Sequence, residues 1–157
     1  MMGGSMFNFF KGARQPATPR VALFVDGPNM IRKEFSINIR ELKTRVEKYG
    51  RLVMAKIFLN QFASEKLIEA IANEGMESII ALGDPEQKTD VDVTITVHAM
   101  EAIYSDKIDI IALATRDADF LALIQKAKEM DKKVVLIAAA HGLAASLKNA
   151  ADFVEII

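Results

Sequence analysis

Aspartates stand where the apolar runs of this chain end. Asp26 follows VALFV (21–25), Asp117 and Asp119 follow IDIIALA (108–114), and Asp90 with Asp92 comes directly after the polar loop GDPEQKT (83–89). Taken singly, each has an ordinary use. Asp26 before Gly-Pro-Asn shapes a turn, Asp117 caps the helix that follows, and Asp90 or Asp92 places negative charge in a helix's first turn. Gathered together, they would do different chemistry. Two carboxylates about 4 Å apart at an effective dielectric near 20 repel by roughly 4 kcal/mol, so a cluster of them calls for a cation or a shared proton. The chain has no cysteine and only two histidines, His98 and His141, so such a cation would be held by oxygen. Oxygen-only ligation selects Mg²⁺ or Mn²⁺, which usually keep several waters and reach a substrate phosphate through them.

These positions converge only if the apolar runs are strands and the segments between them helices. VALFV is apolar throughout and rich in β-branched residues, as expected of a strand covered on both faces, and Asp26-Gly27-Pro28-Asn29 turns sharply after it. Ile39, Leu42, Val46 and Tyr49 recur at helical spacing before Gly50, with Arg40, Lys43 and Lys48 on the other face. RLVMAKIFLN (51–60) reads as the next strand, Ser64 as the cap of a helix carrying Leu67, Ile68 and Ile71, and SIIAL (78–82) as a further strand. From Asp90 to about Tyr104, the residues Val93, Val97, Met100 and Tyr104 repeat at helical spacing, while Thr94 and Thr96 make a strand the competitor. After IDIIALA come a helix bearing Phe120, Leu123, Ile124, Ala127 and Met130, the strand VVLIA (134–138), a short Ala-rich helix and the strand FVEII (153–157). This alternation, with long connections, predicts an α/β fold with a parallel sheet sandwiched between helices. Ligands of such sheets bind outside the carboxyl ends of the strands, where strand order reverses.

Composition narrows the function classes. The chain has 157 residues, 51% of them hydrophobic, which suffices for one continuous core. Residues 1–20 read as a flexible leader with a Phe7, Phe9 and Phe10 cluster suited to docking on the domain or a partner, and residues 21–157 as the domain. Lys plus Arg total 20 against 21 Asp plus Glu, so any nucleic-acid surface is a local patch. No apolar run approaches the roughly 20 residues of a membrane-spanning helix, no secretory signal opens the chain, and a cytoplasmic location is the default expectation. Neither G-x-G-x-x-G nor G-x-x-x-x-G-K-[ST] occurs, which argues against a nucleotide-cofactor enzyme. Neither histidine stands in a recognisable nucleophile context.

VALFVDGPN, KTDVDVTITVHA, ATRDADF and the closing SLKNAADFVEI together resemble, in order and spacing, the successive motifs of the NYN domain. That family is a branch of the PIN-like ribonucleases that includes the LabA-like proteins. The resemblance covers residues 21–157 and implies a three-layer α/β/α sandwich around a central, mostly parallel sheet. It further implies an acidic pocket that binds Mg²⁺ or Mn²⁺ and cuts RNA. Asp26 matches the first acidic position, Asn29 its polar companion, Asp92 the carboxylate of the Val-Asp motif, Asp117 and Asp119 the strand-end pair, and Thr115 the small hydroxyl residue. Read with the metal argument, Asp26, Asp92 and Asp117 organise the metal, Asp119 serves as second ligand or water-orienting base, and Asn29 orients ligand or phosphate. Members similar to this one often carry another Asp six residues beyond Asp92, where this chain has His98. Asp90 is an extra carboxylate with no assigned role.

Between residues 32 and 56 eight basic residues stand against three acidic ones, a phosphate track or a solvated helix face. Arg32, Lys33, Lys88 and Arg116 adjoin the acidic loops and are the expected substrate-binding cations, beside Asn29 and Thr115. The absence of groove-reading motifs favours single-stranded RNA, although the chain has no tryptophan and only 7% aromatic residues for stacking. Two rival functions use the same pocket: an RNA-binding or regulatory module with little or no turnover, of which His98 would be the first clue, and a small phosphoester hydrolase. A homodimer through helices flanking the sheet is open to either.

Overall fold

Strand β1 (Arg20–Asp26) is the spine of the molecule, with Val21 to Val25 wholly buried in this computed structural model, which describes residues 17–31, 38–87, 89–139 and 141–157. The Phe7–Phe9–Phe10 cluster and the expected contacts Arg32, Lys33 and Lys88 lie outside the described residues. On one side of β1 lie β2 (Arg51–Leu59) and then β3 (Glu77–Ile80); on the other lie β4 (Ile110–Ala114), β5 (Lys133–Ala138) and β6 (Phe153–Ile156). The order is β3-β2-β1-β4-β5-β6 and every pairing is parallel, so the sheet is wholly rather than mostly parallel. Its winding reverses between β1 and β4, which places a topological switch point beside Asp26. The same strand order serves dinucleotide-binding folds, but here Asp26-Gly27-Pro28-Asn29 stands where their glycine-rich phosphate turn would be.

Alternation along β1 builds the layers. Val21, Leu23 and Val25 pack with Met30, Leu42, Val46 and Ile71, from α1 (Gly27–Met30), α2 (Ile39–Glu47) and α3 (Glu65–Asn73). Ala22 and Phe24 point to the opposite face and meet α4 (Asp92–Ile103), α5 (Leu121–Glu129) and α6 (Ala145–Ala150) through Ile95, Ala99, Ile124 and Leu147. The result is the expected sandwich, buried on both faces as a parallel sheet requires. Ser64 caps α3 as its position suggests, accepting from Leu67 N at 3.2 Å. Among the described residues no helix is long and apolar enough to cross a membrane.

Helix α4 departs from the expected face. Val93, Val97 and Tyr104 are 74%, 64% and 61% exposed, whereas Ile95, Ala99, Ala102 and Ile103 are buried. The segment is apolar nearly all round, so its periodicity admits more than one face, and small Ala99 and Ala102 allow the close approach to the sheet. Met100 alone of the expected stripe packs partly against the core. Thr96, a strand former by propensity, folds its hydroxyl back onto Asp92 O at 2.8 Å and sits in the helix.

Candidate metal centre

The register of the two central strands sets Val25 opposite Ala114, so the next residues, Asp26 and Thr115, emerge side by side. Thr115 Oγ1 donates to Asp26 Oδ2 at 3.1 Å and accepts from Asp117 N at 3.2 Å. Asp26 Oδ1 accepts from Asn29 N at 3.2 Å, capping α1. That helix starts against β2: a Cβ at Gly27 would stand 2.3 Å from Phe58 O, so the position admits no side chain. Asn29 Oδ1 in turn accepts from Arg116 N at 3.2 Å, which ties the turns after β1 and β4 together across the switch point.

The third carboxylate arrives on a helix start. Asp92 opens α4, and its N–H donates to Asp90 Oδ1 at 2.9 Å. One oxygen each from Asp26, Asp92 and Asp117 lie within 4.8 Å of one another. They line an open hollow of about 290 Å³, whose other walls include Asn29, Asn60, Thr89 and Asp90. No basic side chain is among the described residues that line it.

The electrostatics follow from that lining. Burial pushes the Asp26 carboxyl up to about 6, against the bonds from Asn29 and Thr115 that favour its charge, and Asp117 and Asp90 add repulsion. Burial also lifts Asp92, to about 7, followed by the hydrogen bond and repulsion from Asp90 and the charges of Asp117 and Asp26. Two of the three carboxyls therefore compete for protons near neutrality. An oxygen-only donor set of this kind fits a hard divalent cation.

The other expected residues are placed as follows. Asp117 both faces the hollow and caps the short 3₁₀ turn Ala118–Phe120, accepting from Asp119 N at 2.9 Å, so capping fixes its rotamer and does not compete with the site role. Asp119 itself is exposed and does not line the hollow. Thr115, expected among substrate contacts, is wholly buried with its hydroxyl between Asp26 and Asp117 N. Arg116 Nη1 donates to His141 O at 2.7 Å, beside Gly142, whose φ of +80° makes that close turn. His98 stands six residues beyond Asp92, about 9 Å along α4 by helical rise; its Nδ1 lies 3.0 Å from Lys56 Nζ, its ring meets Phe58 edge-on, and it does not line the hollow. The basic residues of α2 are engaged elsewhere: Arg40 and Lys43 with Glu74, Arg45 with Glu41 and Glu155, Lys48 with Glu155.

Asn60 and Thr89 are lining residues to which the sequence assigns no role, although Thr89 falls inside KTDVDVTITVHA. Asn60 is the polar residue immediately after an apolar strand, the same signal that marks Asp26. Thr89 carries no such signal, because its place is set by a distant residue: its N–H donates to Gln61 Oε1 at 3.1 Å.

Comparison with known proteins identifies a family and a fold. A family model described as the NYN domain matches residues 20–157. An uncharacterized protein of Methanocaldococcus jannaschii is 45% identical over 144 residues, which cover 92% of this chain and 58% of that one. The chain thus spans a little over half the length of that relative. A protein of unknown function from Vibrio parahaemolyticus, known from its crystal structure, matches with a TM-score of 0.79 at 21% identity, over 92% of this chain and 96% of that one, a likeness of fold.

Proposed function

The chain belongs to the NYN domain family, within the PIN-like superfamily, and from that premise we propose that it is a divalent-metal-dependent ribonuclease acting on single-stranded RNA. The observation that carries this reading is the meeting of Asp26, Asp92 and Asp117 oxygens within 4.8 Å, with no cationic side chain among the described residues lining the hollow. Those three carboxylates would hold Mg²⁺ or Mn²⁺. Such an ion supplies neutralisation of phosphate charge and acidification of a coordinated water.

The remaining work falls to side chains. Thr115 holds Asp26 in one orientation, and its acceptance from Asp117 N fixes the second carboxylate relative to the first. Asn29 presents its amide to a phosphate oxygen from the hollow's wall. Asp119, outside the hollow's lining, acts through its backbone N–H, which holds the Asp117 carboxylate in place. Arg116, with Arg32, Lys33 and Lys88 as the sequence neighbours of the acidic motifs, supplies charge to the RNA backbone. The rival module without turnover leaned on His98, but that side chain lies against Lys56 and Phe58, and the three carboxylates meet without it.

Incubation of purified protein with labelled single-stranded and structured RNA, under Mn²⁺, Mg²⁺ or chelator, tests the reading. Cleavage should require metal, and Asp26→Asn and Asp117→Asn should each lower it by about a hundredfold or more, the upper range for groups that orient a metal site. Equal cleavage by wild type and both variants, or none by wild type under either metal, would overturn it.

A further inference from the structure

Two residues after Asn60, which lines the hollow, the chain carries an aromatic residue that belongs to neither core. Phe62 is 59% exposed, in a chain that buries Phe24, Phe58 and Phe120 completely. Its backbone is held from several sides. Asn60 Oδ1 accepts from Phe62 N at 2.9 Å, Ala63 N donates to Asn60 O at 3.2 Å, and Ser64 starts α3 immediately after. One residue back, Gln61 donates to the carbonyls of Asp84 and Gln87 and accepts from Thr89 N. The turn bearing Phe62 is thus laced to the loop that forms part of the hollow's wall, with Asn60 and Thr89 themselves in the lining. Leu82, 83% exposed, leaves the neighbouring strand β3 at the same end of the sheet.

Other exposed aromatics do not share this setting. Phe153 packs its ring 5.2 Å from that of Tyr49, and Tyr104 caps the far end of α4 from Asp92. Of the exposed aromatics among the described residues, only Phe62 sits on a turn whose neighbours Asn60 and, through Gln61, Thr89 line the carboxylate hollow. A flat apolar face on a rigid turn gains most from another flat face, and ordering it costs little because the turn is already ordered.

We propose that Phe62 is a stacking platform for one unpaired base of the RNA whose phosphate enters the hollow. The inference rests on the ribonuclease reading and adds where the neighbouring base lies. Every base has a π-face, so the platform tolerates sequence; a base inside a duplex offers no free face, so paired RNA is disfavoured.

The chain contains no tryptophan, so Phe62→Trp places a single such fluorophore on the platform. In an Asp26→Asn background that keeps the RNA uncut, short oligoadenylate should quench its emission saturably, and duplex RNA of equal length should not. Tyr104→Trp in the same background should not respond. In cleavage assays of the otherwise wild-type chain, Phe62→Ala should raise KM for single-stranded RNA about tenfold, the size of one base–aromatic contact, with kcat little changed, and Phe62→Trp should restore it. An unchanged KM in Phe62→Ala, or indole emission from Phe62→Trp that is indifferent to oligoadenylate, overturns the platform and leaves the nuclease reading standing. Saturable quenching in a chain whose wild type cuts no RNA upholds the platform and sinks the nuclease reading.

Discussion

At the amino ends of β4 and β6, carboxylates meet cations; at the carboxyl ends of β1 and β4 they meet one another. Asp109, just before β4, accepts from Arg20 N at 2.8 Å and from its guanidinium Nε at 3.1 Å, and that guanidinium holds its carboxyl below the usual range. Burial pushes Asp152, just before β6, upward, but the Val134 N–H and Lys128 outweigh it and the carboxyl is lowered. Asp26 and Asp92, at the other end of the same sheet, are raised to about 6 and about 7 by burial and by their carboxylate neighbours. One end satisfies its charges from within the chain. The other holds a set with no basic side chain among the described residues of its lining, at the switch point between β1 and β4.

The largest test of that contrast is metal binding read as stability. Because the Asp26 carboxyl is raised, the folded chain holds a proton that the unfolded chain has lost between the ordinary carboxylate range and about pH 6. Metal-free stability should therefore fall as pH rises through that window, by on the order of 2 to 3 kcal/mol from Asp26. Mn²⁺ at about a hundred times its dissociation constant should return about 2.7 kcal/mol, several degrees in Tm for a chain of this size. The increment should grow from about pH 5 to about pH 8 as the carboxyls release protons. Asp26→Asn should be the more stable protein in chelator at the upper pH and should lose most of the metal response. Thermal scans with and without chelator read all of this, and an equal Mn²⁺ shift in both proteins would break the contrast.

A smaller effect at the same end isolates positioning from ligation. Thr115→Val keeps the shape but removes the hydroxyl between Asp26 and Asp117 N, and it should cost roughly 10- to 100-fold in metal affinity. Asp26 then loses a bond that favours its charged form, so the pH at which metal binding reaches half its maximum should move upward. A variant that binds Mn²⁺ as tightly as wild type, at the same midpoint pH, would remove Thr115 from the site. Titration of Tm against Mn²⁺ at several pH values distinguishes the outcomes.

How much of this was readable in the sequence depended on whether one residue type decided the matter locally. VALFV and the IIALA that ends IDIIALA announce buried strands because no polar residue interrupts them, and Asp26 and Asp117 announce the site because they come just after them. Asp92 was legible through its motif, yet the face of α4 was not: its apolar residues surround the helix, and the packing of Ala99 and Ala102 against the sheet chooses among faces that the period leaves equal. The surplus of basic residues before Lys56 suggested a phosphate track, but Glu74 and Glu155, distant in the chain, take up Arg40, Lys43, Arg45 and Lys48. Thr89 and Phe62 owe their places to hydrogen bonds of Gln61 and Asn60 that no spacing rule encodes. Local pattern thus finds the strand ends, and tertiary contacts decide which neighbours join them.

The smallest effect belongs to the amino end and carries the opposite sign. Asp109→Asn keeps the shape of the side chain and removes the charge that faces Arg20 across a half-exposed pair, 44% and 35% exposed. Such pairs contribute little, so only a slight fall in Tm is expected at neutral pH. Since Arg20 lowers the Asp109 carboxyl, its contribution is complete above the ordinary carboxylate range and fades as pH drops through the lowered value. Wild type and Asp109→Asn should therefore converge in acid, whereas wild type and Asp26→Asn diverge in chelator as pH rises to about 6. The Mn²⁺ increment should be the same in Asp109→Asn as in wild type, because its carboxylate lies at the far end of β4 from Thr115 and Asp117. If Asp109→Asn instead weakened the metal response as much as Thr115→Val does, the two ends would form one electrostatic unit, and the division between a self-satisfied rim and a cation-demanding one would fail.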